Sequence, residues 1–214
     1  MATDTPLTWS VVIPVKVLAL AKSRLSDLAE PDRAELALAM AADTTAAAVS
    51  CPLVGTVIVV TDDPAVSSEV AALGAEVIAD TWAAGLNQAL VAGAAHAADR
   101  WPGRNLAGLT ADLPALSPAA LTAALAAASA ITQAFVADAA GTGTTLYTAA
   151  QGSFRPRFGL RSRELHLQAG AIELDPPGID GLRQDVDTLA DLRSAARIGL
   201  GPRSAAVAVA LTGR

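Results

Sequence analysis

The chain has 214 residues, of which 52% are apolar and 17% charged, so a single α/β domain over residues 1–214 with a large buried core is expected. A formal net charge of −6 argues against a general nucleic-acid-binding protein, which would present a basic face. The only cysteine, Cys51, leaves no basis for a disulfide framework or a cysteine-rich metal site.

The first ten residues lack a basic stretch followed by an apolar one, and Thr, Ser, Asp and Pro interrupt the alanine-rich runs. The sequence therefore predicts neither a secretory signal nor a membrane span, and a cytoplasmic protein is expected. The high apolar fraction is compatible with a homodimer, although no pattern indicates its surface.

Short β-branched runs alternate with alanine- and leucine-rich helical runs along the chain. Strands are predicted at residues 9–15, 55–61, 75–79, 105–109, 131–137, 145–149 and 181–187. Helices are predicted at residues 31–49, 64–73, 85–99, 119–128, within 155–170 and at 188–198, followed by a docked or frayed tail at 202–214. This alternation predicts a mostly parallel, doubly wound sheet of the Rossmann-like type, with helices on both faces.

Helix caps support several of these boundaries. Asp63 before Pro64 is typical of a helix start, as is Ser117 before a proline. Thr188 and Asp191 have the spacing of a capping box at the last long helix.

The segment Leu-Thr-Ala-Asp-Leu-Pro at residues 109–114 ends a buried run with one acid, Asp112. Pro114 ends the strand because it has no N–H to donate. Ligands of open α/β sheets bind beyond the carboxyl ends of the strands, so Asp112 is a candidate ligand of a metal-held phosphate. The alternative is an acid that only caps a turn.

Three cations, Lys16, Lys22 and Arg24, follow the first strand within nine residues. Lysine and arginine hold polyphosphates by charge, and arginine adds a bidentate fork. A solvated basic loop would look the same. The chain has neither G-x-G-x-x-G at this loop nor G-x-x-x-x-G-K-[ST] anywhere, which argues against a dehydrogenase and a P-loop protein.

Three further acids lie near predicted strand ends. Asp185 and Asp187 are two apart and would share one side of a strand, where Mg²⁺ could neutralise them. For Asp187 an N-cap of the last long helix is the favoured interpretation. Asp138 ends the fifth predicted strand and could support the metal ligands.

A turn-rich loop at residues 141–145 offers successive backbone N–H groups and hydroxyls, which suits a carboxylate or phosphate, or forms a flexible turn. His166 follows Ser162 by four residues, which places both on one side of a helix. A lone histidine is more often structural than catalytic, and His96 in an alanine-rich helix is given no role.

Taken together, the motifs resemble the guanylyltransferases of deazaflavin coenzyme F-420 biosynthesis, which activate phosphoenolpyruvate or 2-phospho-L-lactate with GTP. The matching stretches occur in family order along nearly the whole chain: IPVKVLALAKSRL, LNQAL, LTADLPAL, FVADAAGTGTT, RPRFGLRSRELH and GLRQDVDTLADL. The chain is most similar to the bacterial members, which implies phosphoenolpyruvate as acceptor, GTP as donor and a nucleotidyltransferase fold.

The resemblance implies a role for each matching residue. Asp112 and Asp185 match the acids that hold Mg²⁺. Thr144, Gly159 and Ser162 match positions that bind phosphoenolpyruvate. The resemblance further assigns the GTP phosphates to Lys16, Lys22 and Arg24, and a position near the nucleoside to Asn87.

Three other functions remain as alternatives. A nucleotidyltransferase of the sugar-phosphate, molybdopterin or methylerythritol type would show a glycine-rich loop, which is missing. A nucleotide-sugar glycosyltransferase would carry its D-x-D after a middle strand, whereas the D-x-D here is late. A nucleotide-binding regulator would bind GTP without releasing pyrophosphate.

Overall fold

A computed structural model describes residues 9–18, 28–80 and 85–212 of the chain. Within those residues, seven strands form one sheet in the order β3-β2-β1-β4-β6-β5-β7. The strands are β1 (Trp9–Pro14), β2 (Val54–Val60), β3 (Glu76–Ile78), β4 (Asn105–Leu109), β5 (Gln133–Ala137), β6 (Thr144–Ala149) and β7 (Ile172–Glu173). All run parallel except β6, so the mostly parallel sheet is confirmed.

Strand β6 is antiparallel because of the short connection before it. Residues 138–143 join β5 to β6, whereas a parallel crossover needs a dozen or more residues. Strand β6 returns between β4 and β5, with Leu146 opposite both Leu109 and Val136. The beginning of β6 therefore lies at the edge of the sheet where β4 and β5 end.

Eight helices lie within the described ranges: α1 (Glu30–Val49), α2 (Pro64–Ala72), α3 (Leu86–Arg100), α4 (Pro118–Ala128), α5 (Ser162–Gln168), α6 (Asp180–Arg183), α7 (Leu189–Ile198) and α8 (Pro202–Thr212). The predicted caps are confirmed at Asp63, Ser117 and Thr188, where Asp191 completes the capping box. Asp187 is not the N-cap of α7, because Thr188 takes that position.

Helices cover both faces of the sheet, as predicted. On one face, α1, α2 and α4 bury a core that includes Val11, Val59 and Leu121. On the other face, α3 packs so closely that a Cβ on Gly93 would lie 2.3 Å from a methyl group of Val12. A small residue at this position thus allows the helix to approach the sheet closely, whereas a larger side chain would force the two apart.

The predicted strand at residues 181–187 is wrong. Its first part forms the short helix α6, and an irregular segment follows. The two fully buried apolar side chains, Leu182 and Val186, are four residues apart, a spacing that puts side chains on one face of either a strand or a helix, so this pattern did not distinguish the two. The two-residue strand β7 was not predicted, because it is too short to show a pattern.

The predicted tail at residues 202–214 is docked through helix α8. The carboxylate of Asp43 on α1 accepts hydrogen bonds from the N–H groups of Arg203 (3.2 Å) and Ser204 (2.7 Å). Asp43 thereby satisfies the first amides of α8 from a buried position.

Among the described helices, none combines the length and the apolar character that crossing a lipid bilayer requires.

Candidate active site at the carboxyl edge of the sheet

Asp112 lies three residues beyond β4, half-buried, as the sequence predicted for an acid at the sheet edge. Thr44 on α1 holds the backbone on both sides of it. The Thr44 hydroxyl donates to the carbonyl of Ala111 (3.2 Å) and accepts from the N–H of Leu113 (3.2 Å). No local pattern of the sequence indicates this contact, which joins residues 67 positions apart.

The segment that carries Asp185 contacts the segment that carries Asp112. The N–H of Val186 donates to the carbonyl of Asp112 at 3.1 Å, and both acids are half-buried. Because residues 181–187 are not a strand, the argument that Asp185 and Asp187 share one side of it does not hold. The backbone contact, rather than strand alternation, places Asp185 beside Asp112.

This pair of acids could hold a divalent metal ion that takes its remaining ligands from phosphate oxygens and water, but it supplies too few ligands for a structural zinc site. In the part of the chain that the structure describes, no group of three or more His, Cys, Asp or Glu side chains could hold a metal. Zinc sites generally need three or four such ligands, whereas Mg²⁺ is held by one or two carboxylates together with phosphate oxygens and water.

The loop between β5 and β6 is organised by Asp138. Its two carboxylate oxygens accept from the N–H groups of Thr142 (2.9 Å) and Gly143 (2.8 Å). A Cβ on Gly143 would lie 2.3 Å from the Asp138 carboxylate, so only glycine fits. The expectation that successive N–H groups of this loop bind an anion is therefore wrong for these two, because Asp138 already occupies them.

Thr144, at the start of β6, is buried beside His166 of α5. Its hydroxyl lies 3.0 Å from Nδ1 of His166, and Nε2 of the same ring accepts from the N–H of Arg157 at 3.0 Å. The fully buried imidazole stacks on Tyr147 with ring centroids 4.7 Å apart. Burial, reinforced by the charge of Arg157 and opposed by the carbonyl of Ser162, lowers the pKa of His166 to about 4.

Ser162 and Gly159 lie on the segment that leads into α5. The N–H of Ser162 donates to the carbonyl of Gly159 at 3.1 Å, and Ser162 is buried. The N–H of Arg163 donates to the carbonyl of Thr142 at 3.2 Å, which joins this segment to the loop before β6. The structure thus brings Thr144, Gly159 and Ser162 into one region.

Asn87 fixes the same segment from helix α3. Its amide nitrogen donates to the carbonyl of Phe158 (2.9 Å), and its amide oxygen accepts from the N–H of Phe158 (2.8 Å). Both polar groups of the side chain are therefore engaged within the protein. The position near a nucleoside that the resemblance implies stays a prediction.

Lys16 is exposed and follows β1 at the same edge of the sheet as Asp112. Strands β1 and β4 are parallel neighbours, with Val12 opposite Gly108. Lys16 lies four positions after Val12, and Asp112 lies four positions after Gly108. The N–H of Leu18 donates to the carboxylate of Asp63 at 2.9 Å, which ties this loop to α2. The two other predicted cations, Lys22 and Arg24, lie outside the described residues.

Comparison with known proteins points in one direction. A family model described as guanylyl transferase CofC-like matches residues 9–174. A phosphoenolpyruvate guanylyltransferase of Thermomonospora curvata is 53% identical over 206 residues, covering 96% of this chain and 90% of the relative. Two further relatives, from Streptomyces coelicolor and Streptomyces scabiei, are 54% and 52% identical and carry the same name.

Solved structures show the same fold at low identity. A nucleotidyl transferase from Methanothermobacter thermautotroptrophicus has a TM-score of 0.57 at 18% identity, covering 90% of this chain and 98% of that one. A Mycobacterium tuberculosis protein solved in complex with manganese has a TM-score of 0.50 at 18% identity, covering 90% of this chain and 100% of that one.

Proposed function

Since the chain belongs to the family of CofC-like guanylyl transferases, we propose that it transfers GMP from GTP to phosphoenolpyruvate, in the biosynthesis of coenzyme F-420. The products are enolpyruvyl-diphospho-5'-guanosine and pyrophosphate. One structural observation carries the proposal. The antiparallel insertion of β6 brings Thr144 to the edge of the sheet that also holds Asp112 and Lys16.

The reaction exchanges one phosphorus–oxygen bond for another. An oxygen of the acceptor phosphate forms a bond to the α-phosphorus of GTP. The bond from that phosphorus to the bridging oxygen breaks, and its electron pair leaves with pyrophosphate. The attacking oxygen is already anionic, so the protein needs no nucleophile and contributes by positioning and electrostatics.

Asp112 and Asp185 are proposed to hold Mg²⁺, a choice supported by two half-buried carboxylates on contacting segments. A bound Mg²⁺ would offset the repulsion between two polyanions and the charge that develops during transfer. Thr44 keeps the backbone around Asp112 in place, so that carboxylate is presented from a fixed position.

The remaining roles divide between the two substrates. Thr144 and Ser162, with the N–H of Gly159, are proposed to bind the carboxylate and phosphate of the acceptor. The side chains of Lys16, Lys22 and Arg24 are proposed to hold the phosphates of GTP, because they supply charge where a glycine-rich cradle is missing.

The proposal is tested by pyrophosphate release from GTP and Mg²⁺ with phosphoenolpyruvate, with 2-phospho-L-lactate and without acceptor. Release that depends on phosphoenolpyruvate is expected. Release with 2-phospho-L-lactate alone would keep the activity and change the acceptor. Binding of GTP without release in any mixture would overturn the proposal in favour of a nucleotide-binding regulator.

A further inference from the structure

His166 is a buried imidazole whose two nitrogens have different partners. A backbone N–H can only donate, so Nε2, which lies 3.0 Å from the N–H of Arg157, must accept. A neutral ring that accepts at Nε2 carries its proton on Nδ1. That nitrogen lies 3.0 Å from the hydroxyl oxygen of Thr144, which therefore accepts from it.

The groups around the ring keep it in this neutral form. Burial is the main cause, with Phe135 of β5 and Tyr147 of β6 stacked on the ring. The positive charge of Arg157 adds to this effect and outweighs the carbonyl of Ser162, which acts in the opposite direction. Burial raises the pKa of the Tyr147 phenol, so no negative charge develops there to favour an imidazolium. With the pKa of His166 lowered to about 4, the ring is uncharged at neutral pH.

The orientation of the imidazole decides what Thr144 offers to a ligand. A hydroxyl has one proton to donate, and here one of its lone pairs is taken by the Nδ1–H of His166. Among the described residues, no acceptor for the Thr144 hydroxyl proton is found besides this ring, which cannot accept at Nδ1. The opposite tautomer would take that proton and leave Thr144 with only lone pairs, which would repel an anion.

We propose that His166 is a positioning residue, which holds the Thr144 hydroxyl as a donor toward an anionic group of the acceptor and so sets acceptor affinity. The inference rests on the proposed function, because it takes the ligand at Thr144 to be the phosphoenolpyruvate acceptor. It requires no charge on the histidine and no proton transfer during the reaction. Its effect is confined to the acceptor and leaves GTP binding unchanged.

Two substitutions at position 166 separate the two hydrogen bonds of the ring. His166→Gln provides an acceptor for the N–H of Arg157 but no donor toward Thr144, whereas His166→Asn keeps a donor at the place of Nδ1. We expect His166→Gln to raise the KM for phosphoenolpyruvate about tenfold. The KM for GTP should stay the same, and His166→Asn should restore most of the acceptor affinity.

A double-mutant cycle with Thr144→Val tests whether His166 acts through that hydroxyl. In the Thr144→Val background, His166→Gln should cause no further rise in the KM for phosphoenolpyruvate. If His166→Gln raises the KM for both substrates, or adds its full factor in the Thr144→Val background, the proposal is wrong and the ring is only a packing element.

A measurement on the unaltered protein remains if the variants do not fold. Nitrogen-15 chemical shifts of the two histidines distinguish protonated from unprotonated ring nitrogens, and His96→Gln assigns the signals. A proton on Nδ1 of His166 at neutral pH is expected, and a proton on Nε2 would overturn the proposal. If the wild type releases no pyrophosphate with either acceptor, the proposed function fails while the tautomer is still determined.

Discussion

The two sides of the candidate site are built differently. The proposed acceptor side consists of Thr144, Ser162 and His166, which are all buried. The side chains of Thr144 and His166 lie within hydrogen-bond distance of each other, and the His166 ring accepts from the N–H of Arg157. On the proposed nucleotide side, Lys16 is exposed and lies between two residues whose N–H groups donate, Val15 to the carbonyl of Val60 and Leu18 to the carboxylate of Asp63.

This difference follows the chemistry of the two proposed substrates. A small acceptor with few atoms is recognised by polar groups whose positions are fixed beforehand, since each misplaced donor loses a large share of the binding energy. A triphosphate carries several charges, and long cationic side chains can follow it from an exposed loop. The contrast predicts large effects at buried positions and small ones at Lys16.

Asp112 lies between the two sides, and its replacement should have the largest effect. Asp112→Asn is expected to lower kcat by about a hundredfold or more, on the order of 3 kcal/mol, because the amide loses the charge that holds a metal. Asp99→Asn removes the same charge from an exposed position on α3 and should leave kcat unchanged. An Asp112→Asn enzyme with near-normal turnover would remove Asp112 from the proposed site.

The buried histidine on the acceptor side should make stability depend on pH. Its pKa is about 4 in the folded protein against an ordinary value of 6.5, so the unfolded chain binds the proton first as pH falls. The contribution of the neutral ring to the free energy of unfolding is complete above pH 6.5. As the pH falls toward 4, up to about 3 kcal/mol of this free energy is lost. Urea unfolding of wild type and His166→Asn across this range measures it, and parallel curves for the two would contradict it.

Thr44 and Thr45 offer a matched pair on α1. Both are buried, but Thr44 bonds the residues on both sides of Asp112, whereas the Thr45 hydroxyl has no hydrogen-bond partner among the described residues. Thr44→Val should cost about 1–2 kcal/mol of unfolding free energy and lower kcat, because two buried backbone groups lose their partner. Thr45→Val should be neutral or stabilising; equal losses would show that Thr44 only packs.

The smallest effect is expected on the nucleotide side. Lys16→Gln should raise the KM for GTP about threefold, as removal of one exposed charge does, and this increase should shrink at high salt. The KM for phosphoenolpyruvate should not change, and Arg193→Gln on α7, which also removes one exposed positive charge, serves as the control. If Lys16→Gln lowered the catalytic efficiency with GTP as much as Asp112→Asn does, the Lys16 side chain would have to hold a fixed position when GTP is bound.

Patterns within single segments predicted the sheet and Asp112, because a buried run, a small residue, an acid and a proline are all local signals. The antiparallel direction of β6 could also have been predicted, since the six-residue connection before it is too short for a parallel crossover. The strand predicted around Asp185 was wrong, because the pattern of so short a segment does not distinguish a strand from one helical turn followed by irregular chain.

Contacts between distant segments were not predictable from such patterns. The bonds of Thr44 to the loop around Asp112 span 67 and 69 residues, and the state of His166 depends on one N–H in another segment. The occupation of the Thr142 and Gly143 amides by Asp138 likewise depends on how the loop folds back on itself. Local sequence thus located the acids and hydroxyls but not the groups that orient them.

The attachment of helix α8 has a consequence for how the chain folds during synthesis. The N–H of Gly201 donates to the carbonyl of Pro114 at 2.7 Å, and Asp43, next to Thr44, holds the first amides of α8. The loop that carries Asp112 is therefore fastened by residues that leave the ribosome long after it. A nascent chain arrested before Gly201 would contain all seven described strands but lack the hydrogen bond from Gly201 to the loop that carries Asp112. Full catalytic activity should therefore require the synthesis of the last helix.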